Sequence, residues 1–531
     1  MRDRIDRRLA HFRSNQRILS YARRVVKDSR LITGEAPVVF FNTSTRIEAL
    51  SQNAAFSLLA SWSLRLQGIP IHQFICKAGM TRCVLGTNRD DASIEPPCRA
   101  CVNQSKVLFG QNEHTWFEYH ADPLLDQMLD GLNLDGMENF QFAEIPLGKL
   151  VLPSLRWTLR RHNLDENDQT KAIFKHFIKS AWSVARNFEQ CLEQLNPQAV
   201  VVFNGQFFPE AVARYMALKK GIRVISHEVA LQPLSGYFTE GEATAYPIQI
   251  PASFQLDDSQ NKRLDDYLEQ RFQGEFSMAG IRFWPKMQAL SPEFWAKAGN
   301  FKQIVPIFTN VVFDTSQGHA NVLYPHMFAW LDDLLAYIKE NTQTYFVIRA
   351  HPDEDRIGKE SRETVADWVK SRKIDQEPNV LFVDSSEYFS SYELIQKAKF
   401  ILVYNSTIGL EASILGAPVL CAGKARYTQL PTVFFPASLK EYHDTLQRFF
   451  NLEEIPVPEE FRENARRFLY YQLFLTSLPF NEFVEEDGIW RGYVKLKQFE
   501  TSALSPEHSE TMKTLTQGIL KGHQFVLRDI K

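Results

Sequence analysis

From about residue 301 onward, short apolar runs alternate strictly with amphipathic helical patterns, and few folds accommodate that alternation. The runs are Ile304–Phe308, Tyr345–Arg349, Val380–Val383, Phe400–Tyr404 and Pro418–Cys421. Apolar residues at helical spacing fill the gaps, at about 322–340, 361–371, 389–397, 407–415 and 438–450. A strand that is apolar on both faces must be covered on both. The pattern therefore predicts a parallel sheet between two layers of helix.

A second unit of the same kind precedes it. Val38–Phe41 reads as a strand, a helical pattern spans about 47–66 and stops at Gly68, and Ile69–Ile75 reads as the next strand. Ala199–Phe203 leads through an Asn204-Gly205 turn into a helix, and Gly221 precedes the strand Ile222–Ser226, which makes a β-α-β unit. Residues 105–195 read as mostly helical, and about 255–300 show no clear pattern. The expected class is α/β, with two Rossmann-like domains facing across a cleft. The expected divisions are a basic segment at 1–30, a first domain at 31–290, a second at 291–457 and an aromatic-rich helical tail at 458–531.

Charge and cysteine usage narrow the setting. The formal net charge is −3, so no global basic field argues for nucleic acid. No stretch approaches the ~18 apolar residues of a membrane span, and residues 1–30 are too charged for a secretory signal. The cytoplasm is the expected compartment. Those first 30 residues hold ten Lys or Arg against three Asp, a composition that suits either a helix packed on the first domain or peripheral contact with anionic lipid at the inner face of the membrane. Cys76, Cys83, Cys98 and Cys101 are spaced C-x6-C-x14-C-x2-C. Clustered thiols in a cytosolic protein favour metal, and an all-thiolate set suits structural zinc. Disulfides, free thiols and an iron–sulfur cluster are the alternatives.

Two Rossmann-like halves bind ligands in the crevice between them, at the carboxyl ends of strands. In the second half those ends carry Arg349-Ala350-His351-Pro352 and Asn405-Ser406-Thr407-Ile408-Gly409-Leu410-Glu411. Pro352 cannot continue the ladder, which leaves His351 at the sheet's edge beside Arg349. A helix that starts among hydroxyl-bearing residues offers a phosphate its N–H groups. Glu411, one turn in from Thr407, suits a ribose diol, and Lys424 and Arg426 add positive charge after the next strand.

Arg-Ala-His-Pro, followed some fifty residues later by Asn-Ser-Thr-Ile-Gly-Leu-Glu-Ala-x3-Gly-Ala-Pro-Val, resembles the nucleotide-sugar half of GT-B glycosyltransferases. More narrowly, it resembles bacterial capsule polysaccharide biosynthesis proteins, which include transferases of 3-deoxy-manno-octulosonic acid. Sialyltransferases share its His-Pro and Ser/Thr motifs, and glycerophosphotransferases have a similar C-terminal half. The resemblance implies that His351 contacts the nucleotide phosphate and assists the leaving group. It implies further that Ser406 and Thr407 hold phosphate and Glu411 holds ribose. The implied activity is metal-independent transfer of a sugar, from a CMP-sugar in the favoured case, to a surface polysaccharide or glycolipid. An inverting reaction would need a base on the first domain. Glu228 and His227 are the first choice, with Glu240 and Glu242 in reserve. A sugar-nucleotide 2-epimerase, a teichoic-acid-type glycerophosphotransferase and a non-catalytic subunit of a polysaccharide assembly complex are the competing readings.

Overall fold

The computed structural model of the chain describes residues 2–43, 47–272, 288–387, 389–490 and 492–528. The first sheet contains β1 (Val38–Asn42), β2 (Ile71–Cys76), β3 (Glu113–Phe117), β4 (Ala199–Phe203), β5 (Arg223–Val229) and β6 (Ser235–Glu240). The second contains β7 (Gln303–Phe308), β8 (Thr344–Arg349), β9 (Val380–Val383), β10 (Ile401–Val403) and β11 (Val419–Cys421). A late strand, β12 (Leu478–Pro479), returns to the first sheet. In spatial order the first sheet runs β12-β6-β5-β4-β1-β2-β3, and the second runs β9-β8-β7-β10-β11. The second sheet is parallel throughout. The first is parallel from β5 to β3, with β6 and β12 antiparallel at one edge. The expected two-domain α/β architecture is present.

The apolar runs explain the layering. Val38 and Phe40 of β1 enter one buried cluster while Val39 and Phe41 enter another, so alternate residues fill the two faces of the same sheet. The helix Asp168–Leu195 buries Ile173, Phe174, Phe177, Ile178, Ala181, Val184, Ala185 and Phe188 along one stripe, at the spacing read from the sequence. The second sheet divides its side chains in the same way, with Tyr345 and Val347 on one face and Phe346 and Ile348 on the other.

Several elements differ from expectation. β3 and β6 were not anticipated: β3 is a half-exposed edge strand inside the region read as helical, and β6 doubles back on β5. The unpatterned stretch contains the helices Asp258–Phe272 and Pro292–Ala298. The tail is helical at Glu459–Tyr470 and Glu510–Lys521, and between them it adds β12 and the hairpin Val484–Glu486/Tyr493–Leu496. Strands of two to four residues are too short to show a period of two. The basic N-terminus forms the helix Arg2–Asp28, which buries Ile18, Tyr21, Ala22 and Val25. It is tied to the tail by Arg17 Nη1 donating to the Leu496 carbonyl (2.6 Å) and Tyr21 Oη to that of Phe499 (2.8 Å). Leu9 and Phe12 are exposed. Among the described residues no helix is long and apolar enough to cross a membrane.

Candidate functional site

Each sheet reverses its strand order beside its first strand, between β1 and β4 and between β7 and β10. Such switch points splay the connecting loops and leave a crevice at the carboxyl ends. A cavity of about 350 Å³ opens at each, and Asp314 belongs to the walls of both.

The second-domain cavity is lined by His351, Ser406, Thr407, Glu411, Lys424 and Arg426, so six residues singled out from the sequence converge. His351 Nδ1 accepts from the Asp353 backbone N–H (3.1 Å), which leaves the ring proton on Nε2 as a donor. Burial, foremost, lowers the His351 pKa, so the ring is neutral near pH 7. Ser406 is held from behind: Tyr427 Oη donates to its carbonyl at 2.8 Å. This explains Gly409, where a Cβ would lie 2.3 Å from that hydroxyl. Thr407 precedes the helix Ile408–Ile414 without capping it through its side chain. The N–H groups of Gly409 and Leu410 already donate to the Ser406 and Thr407 carbonyls. The anion-binding capacity of this wall therefore lies more in hydroxyls and cations than in the helix itself. Arg426 also stacks on Tyr246, 3.6 Å from the ring centroid.

Two of the expected ligand-binding residues are engaged elsewhere. Arg349 is buried behind the wall, where Nη1 donates to the Glu387 carbonyl (3.0 Å) and the guanidinium stacks on Phe389. Arg349 is the last residue of β8, whereas His351 lies beyond the strand at the start of the turn Pro352–Asp355, where alternation along the strand no longer sets its direction. Glu411 reaches the cavity, but Arg271 donates to Oε1 through Nε (2.7 Å) and Nη2, and Tyr392 Oη donates to Oε2. Burial is the largest effect and disfavours the Arg271 charge, but Glu411, Tyr267 and Tyr392 together outweigh it and the pKa is raised.

The turn after His351 holds a buried acid. Glu354 is 1% exposed, and burial raises its carboxyl from 4.5 to about 8. Between those values the unfolded chain gives up a proton that the folded chain keeps, so stability is full at low pH and falls as pH rises toward 8. Glu354→Gln should flatten this slope and raise stability at pH 8.5 by on the order of 3 kcal/mol. Urea midpoints at pH 6 and 8.5 would measure it; equal slopes in both proteins would contradict it.

The first-domain cavity includes Asn42, Asn53, Ser57, Trp157, Asn204, His227 and Glu228. Glu228 is oriented by three donors: Asn53 Nδ2 (3.1 Å), Asn204 Nδ2 (2.9 Å) and the Val229 N–H (2.8 Å). His227, which sits within β5 rather than after it, is 2% exposed and stacks on Phe238. Burial lowers its pKa to about 3, so it stays neutral and stores no proton near pH 7. Of the reserves, Glu240 pairs with Arg223 (2.7 Å), while Glu242 is bound by Arg214, Gln206 and His319 (3.1 Å).

The sequence reading missed Asn310, Asp314, His319 and Arg271. Asn310 follows β7 and donates to Asn405 Oδ1 at 2.8 Å, across the switch point. Its position just past a strand end was the available signal. Arg271 lies in the helix Asp258–Phe272, where no motif marked it.

The four clustered cysteines converge on a separate small cavity whose walls also include Met80, Gly86, Pro96 and Pro97. Among the described residues none of the four is in a disulfide, and Cys98 and Cys101 lie in the first turn of the helix Cys98–Phe109. Among the described residues no three His, Cys, Asp or Glu side chains are arranged to hold a metal ion.

Residues 294–430 match the family model "Capsule polysaccharide biosynthesis protein". No curated protein matches the chain. Similar solved structures include the beta Kdo 2,4 transferase of Thermosulfurimonas dismutans KpsC (13% identity, TM-score 0.34, 53% of this chain and 80% of that one). They also include the beta Kdo 2,7 transferase of the same protein (14%, 0.33, 59% and 85%). A third is the UDP-GlcNAc 2-epimerase of Neisseria meningitidis (13%, 0.24, 82% and 95%). Residues 294–430, which match that family model, thus lie within the second of two α/β domains built on largely parallel sheets.

Proposed function

We propose that this protein is a glycosyltransferase that moves a sugar from a nucleotide-sugar donor, CMP-linked in the favoured case, to a surface polysaccharide or glycolipid. One observation carries the reading. Phosphate-compatible groups (His351, Ser406, Thr407, Lys424, Arg426) line one cavity, an oriented carboxylate (Glu228) lines the other, and the two meet at Asp314. Glycosyl transfer builds negative charge on the departing phosphate. Lys424, Arg426, the two hydroxyls and the His351 Nε2–H stabilise that charge in place of a catalytic metal. Glu228 accepts the proton of the acceptor hydroxyl as it attacks. The exposed Arg and apolar residues of the N-terminal helix suit an acceptor near an anionic membrane.

A thermal-shift panel of CMP, UDP, GDP, dTDP and ADP tests the nucleotide side. The correct nucleotide at a hundred times its Kd should stabilise by about 2.7 kcal/mol. His351→Ala should weaken that nucleotide by ~1.5–3 kcal/mol of binding. No stabilisation by any nucleotide would defeat the proposal. Turnover of the matching nucleotide sugar then separates the alternatives. Epimerised product without an acceptor indicates a 2-epimerase, turnover of CDP-glycerol a glycerophosphotransferase, and binding without turnover a scaffold.

We also propose that Cys76, Cys83, Cys98 and Cys101 close around one structural zinc. Four thiols drawn from 26 residues of chain already share one cavity, and a closed all-thiolate site is structural rather than catalytic. The closure requires the side chains to draw together. Elemental analysis should find about one zinc per chain, and Cys98→Ser should lose it and lower Tm. Metal-free protein with four titratable thiols would reject the site.

A further inference from the structure

At the junction of the two domains, beside the first-domain cavity, a guanidinium is buried against aromatic rings. Arg160 follows the helix Leu147–Leu159 in the left-handed conformation (φ 60°, ψ 37°), and its side chain folds back between two rings. Its Cζ lies 4.0 Å from the centroid of Trp157 and 5.0 Å from that of Phe313. The residue is 5% exposed. Aromatic faces stabilise the charge, but they do not satisfy N–H donors that lie in the guanidinium plane. Nε and Nη1 are buried with no hydrogen-bond acceptor among the described residues. Burial pushes the Arg160 pKa down to about 10; Arg89 and Arg362 push the same way, while Glu360 and Asp314 oppose it. A buried cation with open donors is costly until an anion meets it.

Arg160 lies behind the cavity wall, and its stacking partner forms part of that wall. Trp157 belongs to the cavity wall, together with Asp314, Thr315 and Lys359, and Phe313 adjoins Asp314 in sequence. Lys359 lies on the loop after His351, which crosses from the second domain and docks on the first. Arg362 N–H donates to the Arg160 carbonyl (2.8 Å), and Glu363 Oε2 accepts from the backbone N–H groups of His162 (2.8 Å) and Asn163 (3.0 Å). The nucleotide-side loop thus supplies one cation beside the pocket and fixes the backbone that carries the other.

We propose that Arg160, assisted by Lys359, receives an anionic group carried by the acceptor saccharide, a carboxylate or a phosphate. The inference rests on the reading of the first-domain cavity as the acceptor side. The planar fork of Arg matches a two-oxygen anion with parallel hydrogen bonds. The site therefore selects acidic saccharides over neutral ones.

The test uses the full chain at fixed ionic strength, with chloride replaced by inorganic phosphate in one series and by glucuronate in another. Wild-type Tm should rise saturably in at least one series. A rise with phosphate alone assigns a phosphate group, a rise with glucuronate alone a carboxylate, and no rise in either overturns the proposal. Arg160→Met should lose the anion response while keeping the nucleotide response, and an undiminished anion response in it would overturn the proposal. Arg160→Lys serves if the first variant does not fold. It should raise the half-saturating anion concentration at least ~10-fold, since the fork is lost and the charge kept; an unchanged value would overturn the proposal. Loss of the nucleotide response in wild type would be a failure of the function reading instead.

Discussion

Glu228→Gln is expected to cut turnover by ~10²–10⁴ while leaving nucleotide affinity unchanged. The carboxylate stands on β5 with three donors around it, from Asn53, Asn204 and the Val229 N–H, so its position is fixed before an acceptor arrives. An amide of the same shape keeps the volume but cannot take a proton. It also turns an NH2 toward donors that need an acceptor, so a small loss of stability should accompany the loss of rate. The other first-choice and reserve groups are poorly placed to take over. His227 is neutral and buried, and Glu242 is bound by Arg214 and His319. Steady-state rates with donor and acceptor, set beside nucleotide affinity from thermal shift, would measure the two effects separately. Full activity in the variant would move the base to another residue, with Asp314, shared by both cavities, the next to examine.

The same strand shows how much of the site could be read in advance. Fully apolar runs such as Ala199–Phe203 and Tyr345–Ile348 announce buried parallel strands, and all five strands of the second sheet lie within one residue of the positions read from pattern alone. Residues just past those strands, Ser406, Thr407 and His351, were legible because a parallel sheet puts its ligands there. Partners supplied by distant segments were not. Nothing in the sequence ties Arg271 to Glu411 across 140 residues, or marks Arg160 as buried between Trp157 and Phe313. Arg349 was misplaced for a local reason. It is the last residue of β8, while His351 lies in the turn beyond, and where the strand stops and the chain turns decides which of the two enters the cleft. His227 lies beyond the strand end read from the sequence, Ser226, whereas β5 continues to Val229, where β6 pairs with it and Phe238 stacks on the ring.

Glu411→Ala should destabilise the fold by about 3–5 kcal/mol, the cost of stripping one partner from a buried ion pair. The side chains of Glu411 and Arg271 are 5% and 14% exposed, and Tyr392 donates to the second carboxylate oxygen. Truncation would leave the buried Arg271 charge and the Tyr392 hydroxyl without their carboxylate partner. The pair joins the helix Asp258–Phe272 to the helix Ile408–Ile414, so its loss should also loosen the wall that presents Ser406 and Thr407. A purely ribose-binding Glu411 predicts the opposite balance, with nucleotide affinity reduced and stability intact. Urea unfolding of Glu411→Ala without nucleotide distinguishes the two. A second comparison separates charge from packing. The double replacement Glu411→Leu with Arg271→Met removes both charges and keeps most of the volume, and it should recover most of the lost stability, because an apolar pair in a buried site is often as stable as an ionic one. If the double variant unfolds as readily as Glu411→Ala, the ion pair is not the source of the loss. In that case the Tyr392 hydrogen bond, which neither replacement preserves, becomes the contact to restore.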